Sequence, residues 1–207
     1  GRAQDNNHLL APATAPPAWW PPGAPPMSPD LIIFDCDGVL VDSEPLAMRV
    51  LIAAIAAQGI TVTPDDAYRD FLGRSLASIS ASLHDNHGEP LGEAALKSMR
   101  TDLYALYRQE LRANPGLPEI LGQLDVPFCV ASSSTPERIH LSLELTGQLP
   151  WFAPHIYSAT MVKNGKPAPD LFLLALRQFQ GHRVNDSPDD GVLNCKYVSD
   201  AAVVALR

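Results

Sequence analysis

Basic residues are scarce in this chain: 15 Lys and Arg stand against 23 Asp and Glu, a formal charge of −8. Such a surface lacks the cationic footprint that a phosphate backbone requires, which argues against nucleic acid as a partner. Long hydrophobic runs are also missing, since no apolar stretch reaches the ~18 residues that span a bilayer, so no membrane role is expected. Cysteine is sparse. Cys36, Cys129 and Cys195 are far apart and odd in number, so there is no disulfide framework and no CxxC metal spacing. A reduced, cytoplasmic setting is the simplest expectation. What the chain does have is apolar side chain, 46% of 207 residues. That is enough for one compact core, or for a domain with one sizeable insertion. No internal repeat is visible.

Proline is concentrated at one end. Pro12, Pro16, Pro17, Pro21, Pro22, Pro25 and Pro26 surround a Trp19-Trp20 pair. A segment so poor in backbone donors is expected to be a disordered or polyproline-like extension over residues 1–26, with Met27 as the natural start. Beyond it, Leu31-Ile32-Ile33-Phe34 is a short apolar run that suits a strand buried on both faces. Asp42 or Ser43 is placed to cap a helix that runs from Glu44 to Gln58 and stops at Gly59. Thr63-Pro64-Asp65-Asp66 opens a second helix. Leu76, Ile79 and Leu83 mark a third, and Leu96, Met99, Leu103, Tyr107 and Leu111 a fourth. Residues 44–112 therefore read as wholly helical. Strand signals return at Val126 to Ala131 and at His155 to Ser158, each followed by a helix pattern, the first capped by Ser134 or Thr135 and the second running from Pro169 to Phe179. Strand–helix alternation on both sides of a helical insert implies a doubly wound, Rossmann-like α/β core with a parallel sheet, residues 27–43 and 113–207, carrying a helical-bundle cap, 44–112.

The chemistry is concentrated at the strand ends. Asp35 and Asp37, two residues apart at the mouth of the first strand, can share one substrate and one cation. Asp35 is suited to attack phosphorus, and Asp37 to protonate the leaving oxygen and then activate water. Mg²⁺ suits such a site because it takes oxygen ligands and neutralises the charge that repels an incoming carboxylate. Ser132, closing the second strand, is placed either to hold phosphate oxygens or simply to cap a helix. Lys166 is one of four lysines. It sits in a stiff Gly-Lys-Pro loop, able to set a fixed positive charge against phosphate and Asp35. Cys36, between the aspartates, is expected to point away from them into the core. His84 and His87 lack a third ligand and read as an exposed polar face.

Taken in order, LIIFDCDGVLVDSE from Leu31, VASSSTPERI with Ser132, and GKPAPDLF with Lys166 resemble the haloacid dehalogenase-like hydrolase superfamily over roughly residues 29–180. The helical insertion after the first motif is similar to the subgroup of β-phosphoglucomutase and the sugar-phosphate phosphatases. The resemblance implies that Asp35 is the nucleophile, Asp37 the general acid/base, Ser132 the phosphate ligand assisted by Ser133, and Lys166 the phosphate-bridging cation. It also implies Mg²⁺ held by the Asp35 carboxylate, the Asp37 carbonyl and an acid from a fourth motif. Phe71-Leu72-Gly73-Arg74-Ser75 resembles the specificity loop of the cap, with Arg74 facing the substrate. A second aspartate at position 37 favours phosphoryl transfer over carbon–halogen cleavage, and Pro45-Leu46-Ala47-Met48 lacks the histidine of the mutases. The expectation is a monomeric Mg²⁺-dependent phosphatase of small phosphorylated metabolites. A hexose-phosphate mutase and a truncated, catalytically impaired binding protein are the alternatives.

After Phe179 the family pattern fails, and the tail reads either as a divergent fourth motif with a long loop or as an altered segment that leaves the core truncated. Asp190 sits at the family's spacing from Lys166 but follows no apolar strand. Asp200 follows Tyr197-Val198-Ser199 and precedes a helix-like Ala201 to Leu206, which makes it the better-placed third metal ligand, with an ordinary helix N-cap as its alternative. Asp186 is a third contender.

Overall fold

A computed structural model of the chain describes residues 31–72, 74–88 and 90–179, and the backbone of residues 194–198 and 201–205. The proline-rich stretch 1–26 and the three contending acids Asp186, Asp190 and Asp200 lie outside the described residues, as does Gly73. The chain begins with strand β1 (Leu31–Phe34), then helices α1 (Glu44–Ala57), α2 (Pro64–Phe71), α3 (Leu76–His87) and α4 (Glu93–Glu110). It continues through α5 (Leu117–Leu121), β2 (Phe128–Ser132), α6 (Pro136–Leu145), α7 (Leu149–Phe152), β3 (Ile156–Ser158) and α8 (Asp170–Phe179), and ends in β4 (Asn194–Val198) and β5 (Ala201–Ala205). No helix among the described residues is long and apolar enough to cross a membrane.

Strand parity organises the core. Leu31 and Ile33 of β1, Cys129 and Ala131 of β2, and Tyr157 of β3 pack against Leu171, Phe172, Ala175 and Leu176 of α8. Phe34, Val130 and Ile156 face the opposite way, toward Ile139, Leu143 and Phe152 of α6 and α7 and onward to the helices α1–α4. Period-2 alternation in three apolar strands thus gives helices on both faces, the doubly wound α/β arrangement that the sequence implied. On the α7 side Phe34, Phe128 and Phe152 meet edge to face, with ring centroids 5.2–6.1 Å apart. Strand β1 pairs parallel with β2 (Phe34 opposite Val130), and β2 pairs parallel with β3 (Ser132 opposite Ser158). The functional ends of all three therefore lie on one edge of the sheet.

The other half of the sheet departs from expectation. Its order is β3-β2-β1-β5-β4, and β5 runs antiparallel to both β1 and β4. Residues Ala201 to Ala205, expected to be helical, form a strand. Two residues separate β4 from β5, far too few for the crossover that a parallel neighbour needs, so a hairpin is the pairing open to them. A helix N-cap role for Asp200 falls with this, because no helix follows it.

Local signals set the helix boundaries. Thr63, Ser75 and Thr135 sit at N-caps with side chains accepting from the backbone N–H three residues on, and Pro64 and Pro136 occupy first turns where a missing N–H costs nothing. Ser43 occupies the N-cap of α1 yet makes no side-chain cap bond. Its hydroxyl is used elsewhere, as described below. His84 and His87 are exposed on the last turn of α3, in line with a polar face.

Candidate active site

The turn after β1 is held from several sides. Gly38 has φ +73°, a left-handed conformation that favours glycine, and a Cβ there would meet the Glu44 carboxylate at 3.1 Å. The Asn114 side-chain amide donates to the carbonyls of Gly38 (2.9 Å) and Val39 (2.6 Å), and that of Gln148 to the Leu40 carbonyl (3.0 Å). Cys36 is buried among core side chains, as strand alternation requires, and burial, with Asp37 and Asp35 nearby, raises its thiol pKa well above the ordinary value.

Asp35 and Lys166 meet. Lys166 Nζ lies 2.8 Å from Asp35 Oδ2, the two side chains being 10% and 26% exposed, and the Cys36 N–H donates to Oδ1 at 2.7 Å. The parity of β1 puts Asp35 on the same side as Leu31 and Ile33, the face covered by α8, and the loop leading into α8 carries Lys166. The lysine ammonium also lies 5.4 Å from the centre of the Phe172 ring. Both carboxylate oxygens thus have a partner, and the Asp35 side chain is fixed beside a largely buried cation.

Asp37 is gripped more tightly. Its Oδ1 accepts from Ser43 Oγ (2.9 Å) and Arg138 Nη2 (2.7 Å), and its Oδ2 accepts from Ser134 Oγ (2.5 Å). The phenol of Tyr107 accepts from Arg138 Nη2 at 2.8 Å and stands 3.5 Å from Asp37 Oδ1. Burial raises the Tyr107 pKa well above its usual value, so it stays protonated. For Arg138 burial, the largest influence, opposes the charge, but Asp37 and Tyr107 together outweigh it and the guanidinium pKa rises. Ser132 is buried at the end of β2 and its Oγ accepts from the Ser134 N–H at 3.1 Å. The cap of α6 is Thr135, which removes helix capping as the role of Ser132.

Ser133, Ser134 and Arg138 form one wall of a cavity of about 510 Å³, whose other walls come from α1 to α4 and include Arg74. Arg74 is held at its rim, donating to Ser78 Oγ (2.8 Å) and to the Asp70 carbonyl (3.0 Å). Four of the sequence-selected residues, Asp35, Asp37, Ser132 and Lys166, thus sit on one sheet edge, while Ser133 and Arg74 line the neighbouring cavity. The acids nominated in the tail lie outside the described residues. Sequence reasoning passed over Tyr107 and Arg138. A signal for each was present: Arg138 stands in the first turn of α6, where a cation opposes the helix dipole, and a phenol buried in an otherwise aliphatic stripe needs a partner.

The oxygen donors at this edge suit a hard cation. Asp35 supplies a carboxylate, the ligand type Mg²⁺ takes while retaining waters. Among the described residues no cluster of three or more His, Cys, Asp or Glu completes such a site.

A family model described as a haloacid dehalogenase-like hydrolase matches residues 29–191. The chain belongs to the haloacid dehalogenase-like hydrolases. Among curated relatives of this hydrolase, the 6-phosphogluconate phosphatase of Escherichia coli K12 is 28% identical over 177 residues, covering 85% of this chain and 76% of the relative. Among solved structures, a haloacid dehalogenase-like protein of unknown function from Agrobacterium tumefaciens C58 is 34% identical with a TM-score of 0.67, covering 73% of this chain and 69% of its own. A family hydrolase from Deinococcus radiodurans R1, solved with bound phosphate and sodium, is 31% identical with a TM-score of 0.60, over 73% and 67% of the two chains.

Proposed function

We propose that this hydrolase is a phosphatase of small phosphorylated metabolites, sugar phosphates foremost, working through an aspartyl-phosphate on Asp35. The observation that carries the reading is the Asp35–Lys166 contact of 2.8 Å, with Asp37 two residues along the same turn. The phosphatase relative and the phosphate-bound family structure support the substrate class. Helices α1–α4, residues 44–112, act in this reading as a cap over the core, closing the cavity that receives the organic part of the substrate. The free thiols Cys36 and Cys129 suit a reducing, cytoplasmic compartment.

In the first step an Asp35 carboxylate oxygen attacks phosphorus and the ester oxygen leaves as the alcohol, taking its proton from Asp37. In the second step Asp37, now the base, removes a proton from a water that attacks the acyl phosphate, releasing inorganic phosphate and restoring the Asp35 carboxylate. Lys166 holds a transferring oxygen and balances the charge between it and Asp35. Ser132 and the backbone N–H groups that follow β2 orient the phosphoryl oxygens, Ser133 assists them, and Arg74 meets the far end of the substrate. Mg²⁺, when bound, would neutralise phosphoryl charge, held by the Asp35 carboxylate and the Asp37 carbonyl. Asp200 is our choice for a third acid, because the next residue, Ala201, pairs with Phe34, the residue before Asp35.

The deciding experiment is phosphate release from a panel of sugar phosphates, 6-phosphogluconate included, with Mg²⁺ and with EDTA. Mg²⁺-dependent release supports the reading. Conversion between hexose phosphates without release would favour a mutase, and no reaction with any ester would make the chain an impaired relative.

A further inference from the structure

We infer that Arg138 is the positioning residue of Asp37: through its bridge to Tyr107 it fixes where that carboxylate points and so governs protonation of the leaving group. The inference rests on the phosphatase reading above. Arg138 is the charged partner of Asp37 among the described residues, 2.7 Å from Oδ1, while the other donors, Ser43, Ser134 and, at 3.5 Å, Tyr107, are neutral hydroxyls. In the Arg138 contact both partners are ionised, so it adds to the hydrogen bond a Coulombic attraction that the hydroxyl contacts lack, and this favours the orientation in which Asp37 faces Arg138. A short carboxylate side chain has several staggered orientations to choose from, and a general acid must be aimed within hydrogen-bond reach of the oxygen it protonates.

The placement of Arg138 is costly unless Asp37 repays it. The residue stands at the third position of α6, where the helix end already carries partial positive charge. Its Nε is buried and makes no hydrogen bond among the described residues. The same Nη2 that reaches Asp37 also donates to Tyr107 Oη at 2.8 Å, and the guanidinium carbon lies 5.5 Å from the centre of the Tyr107 ring. Tyr107 belongs to α4 and Asp37 to the turn after β1, 70 residues apart. Arg138 therefore ties the helical insert, the sheet edge and α6 together at one carboxylate oxygen, so the seat of α4 is felt directly at the proton donor. Arg138 and Ser134 also line the cavity, so they sense what enters it.

The test compares leaving groups, which a purely structural role would not distinguish. p-Nitrophenolate departs without a proton, whereas the alkoxide of glycerol 3-phosphate needs one. Because kcat/KM reports only the steps through leaving-group departure, Arg138→Met in the full chain should lower kcat/KM for glycerol 3-phosphate by about 100-fold, in the range of general-acid contributions, and for p-nitrophenyl phosphate by less than about fivefold. Asp37→Asn should show the same asymmetry, the double variant should be no worse than Asp37→Asn alone, and Tyr107→Phe should follow in the same direction more weakly. Arg138→Lys, which keeps the charge but loses the planar fork, should recover part of the glycerol 3-phosphate rate and guards against misfolding of the methionine variant. Equal losses on both esters, or a loss confined to KM, would overturn the positioning role and make Arg138 a phosphate ligand or a structural brace. A wild-type chain that turns over neither ester overturns the phosphatase reading and this inference together, whereas an active wild type with symmetric losses overturns this inference alone.

Discussion

Asp35→Asn is the sharpest perturbation of the proposed chemistry, because the amide keeps the size of the carboxylate and loses its nucleophilic oxygen. Removing a covalent nucleophile lowers turnover by roughly 10⁴–10⁶-fold, or about 5–8 kcal/mol at ~1.4 kcal/mol per tenfold. The effect on the fold should be small. The amide oxygen can still accept from the Cys36 N–H, which lies 2.7 Å from Oδ1. The bond that changes is the one to Lys166 at 2.8 Å. A hydrogen bond to a charged group contributes about 1.5–3 kcal/mol. With Asp35 26% exposed, solvent screening reduces this to about 1 kcal/mol. For a chain of this size that is a fall in Tm of about 2–4 °C. Phosphate release with the best ester of the panel, alongside a thermal melt, separates the two effects. Retention of more than about 1% of wild-type activity would refute Asp35 as nucleophile. A Tm loss beyond about 10 °C would mean the substitution acts through the fold, and the inactivity would then prove nothing.

Phe152→Ala empties the centre of the edge-to-face cluster with Phe34 and Phe128, so it should cost about 3–5 kcal/mol in denaturant unfolding while the folded fraction keeps its activity; a cost under about 1 kcal/mol would show that the cluster collapses to fill the space. The buried thiols of Cys36 and Cys129 should resist iodoacetamide at pH 8 in the native state and react fully in urea, counted by intact mass. Burial raises the Cys129 pKa from an ordinary 9.0 to about 12. The unfolded chain therefore loses that proton first, and stability should decline as pH rises from about 9 toward 12; a melting temperature flat over that window would contradict the burial. Asp200→Ala should weaken Mg²⁺ activation at least tenfold in a metal titration, a loss of about 1.4 kcal/mol, and Asp186→Ala and Asp190→Ala should stay near wild type. Activation unchanged in Asp200→Ala would remove it from the metal site.

The half of the fold that carries the site was legible because short-range patterns coincide with it. Leu31 to Phe34 is apolar on both faces because helices cover both, and the aspartates follow where that strand ends. Lys166 could be matched to Asp35 from motif order, and strand parity explains why the α8 side supplies it. Ser132 was legible as a strand end, and of the two expected caps, Ser134 and Thr135, it is Thr135 that caps α6. The environment of Asp37 was not legible. Ser43 looked like a helix cap and Tyr107 like core, yet both turn polar atoms to Asp37, Ser43 from 6 residues away and Tyr107 from 70, and Arg138 joins them from 101 residues on, a convergence that only the three-dimensional fold creates. The strand at Ala201–Ala205 was missed for a related reason. An alanine-rich segment is neutral to good in a helix, and only the unsatisfied edge of β1, together with the two-residue spacing from β4, makes a strand the better outcome.

That edge bears on how chemistry and stability divide across the sheet. Every polar group described at the site comes from the parallel half or the helices beside it. Asp35 and Asp37 follow β1, Ser132 and Ser134 close and follow β2, Lys166 follows β3, Arg138 lies in α6 and Tyr107 in α4. The hairpin of β4 and β5 contributes backbone pairing along the whole of β1, from Leu31 opposite Val204 to Phe34 opposite Ala201. A central strand with one neighbour would leave a row of N–H and C=O groups open beside Asp35, and each buried group left without a partner costs about 1–3 kcal/mol. By satisfying them, an antiparallel strand does for β1 what a parallel strand would do, with no crossover helix. The direction of β5 therefore matters little for holding Asp35 at the strand's mouth. It matters for which end of the strand lies there: a parallel strand beside β1 would present its own C-terminal end at that edge, whereas β5 presents its beginning, Ala201, beside Phe34.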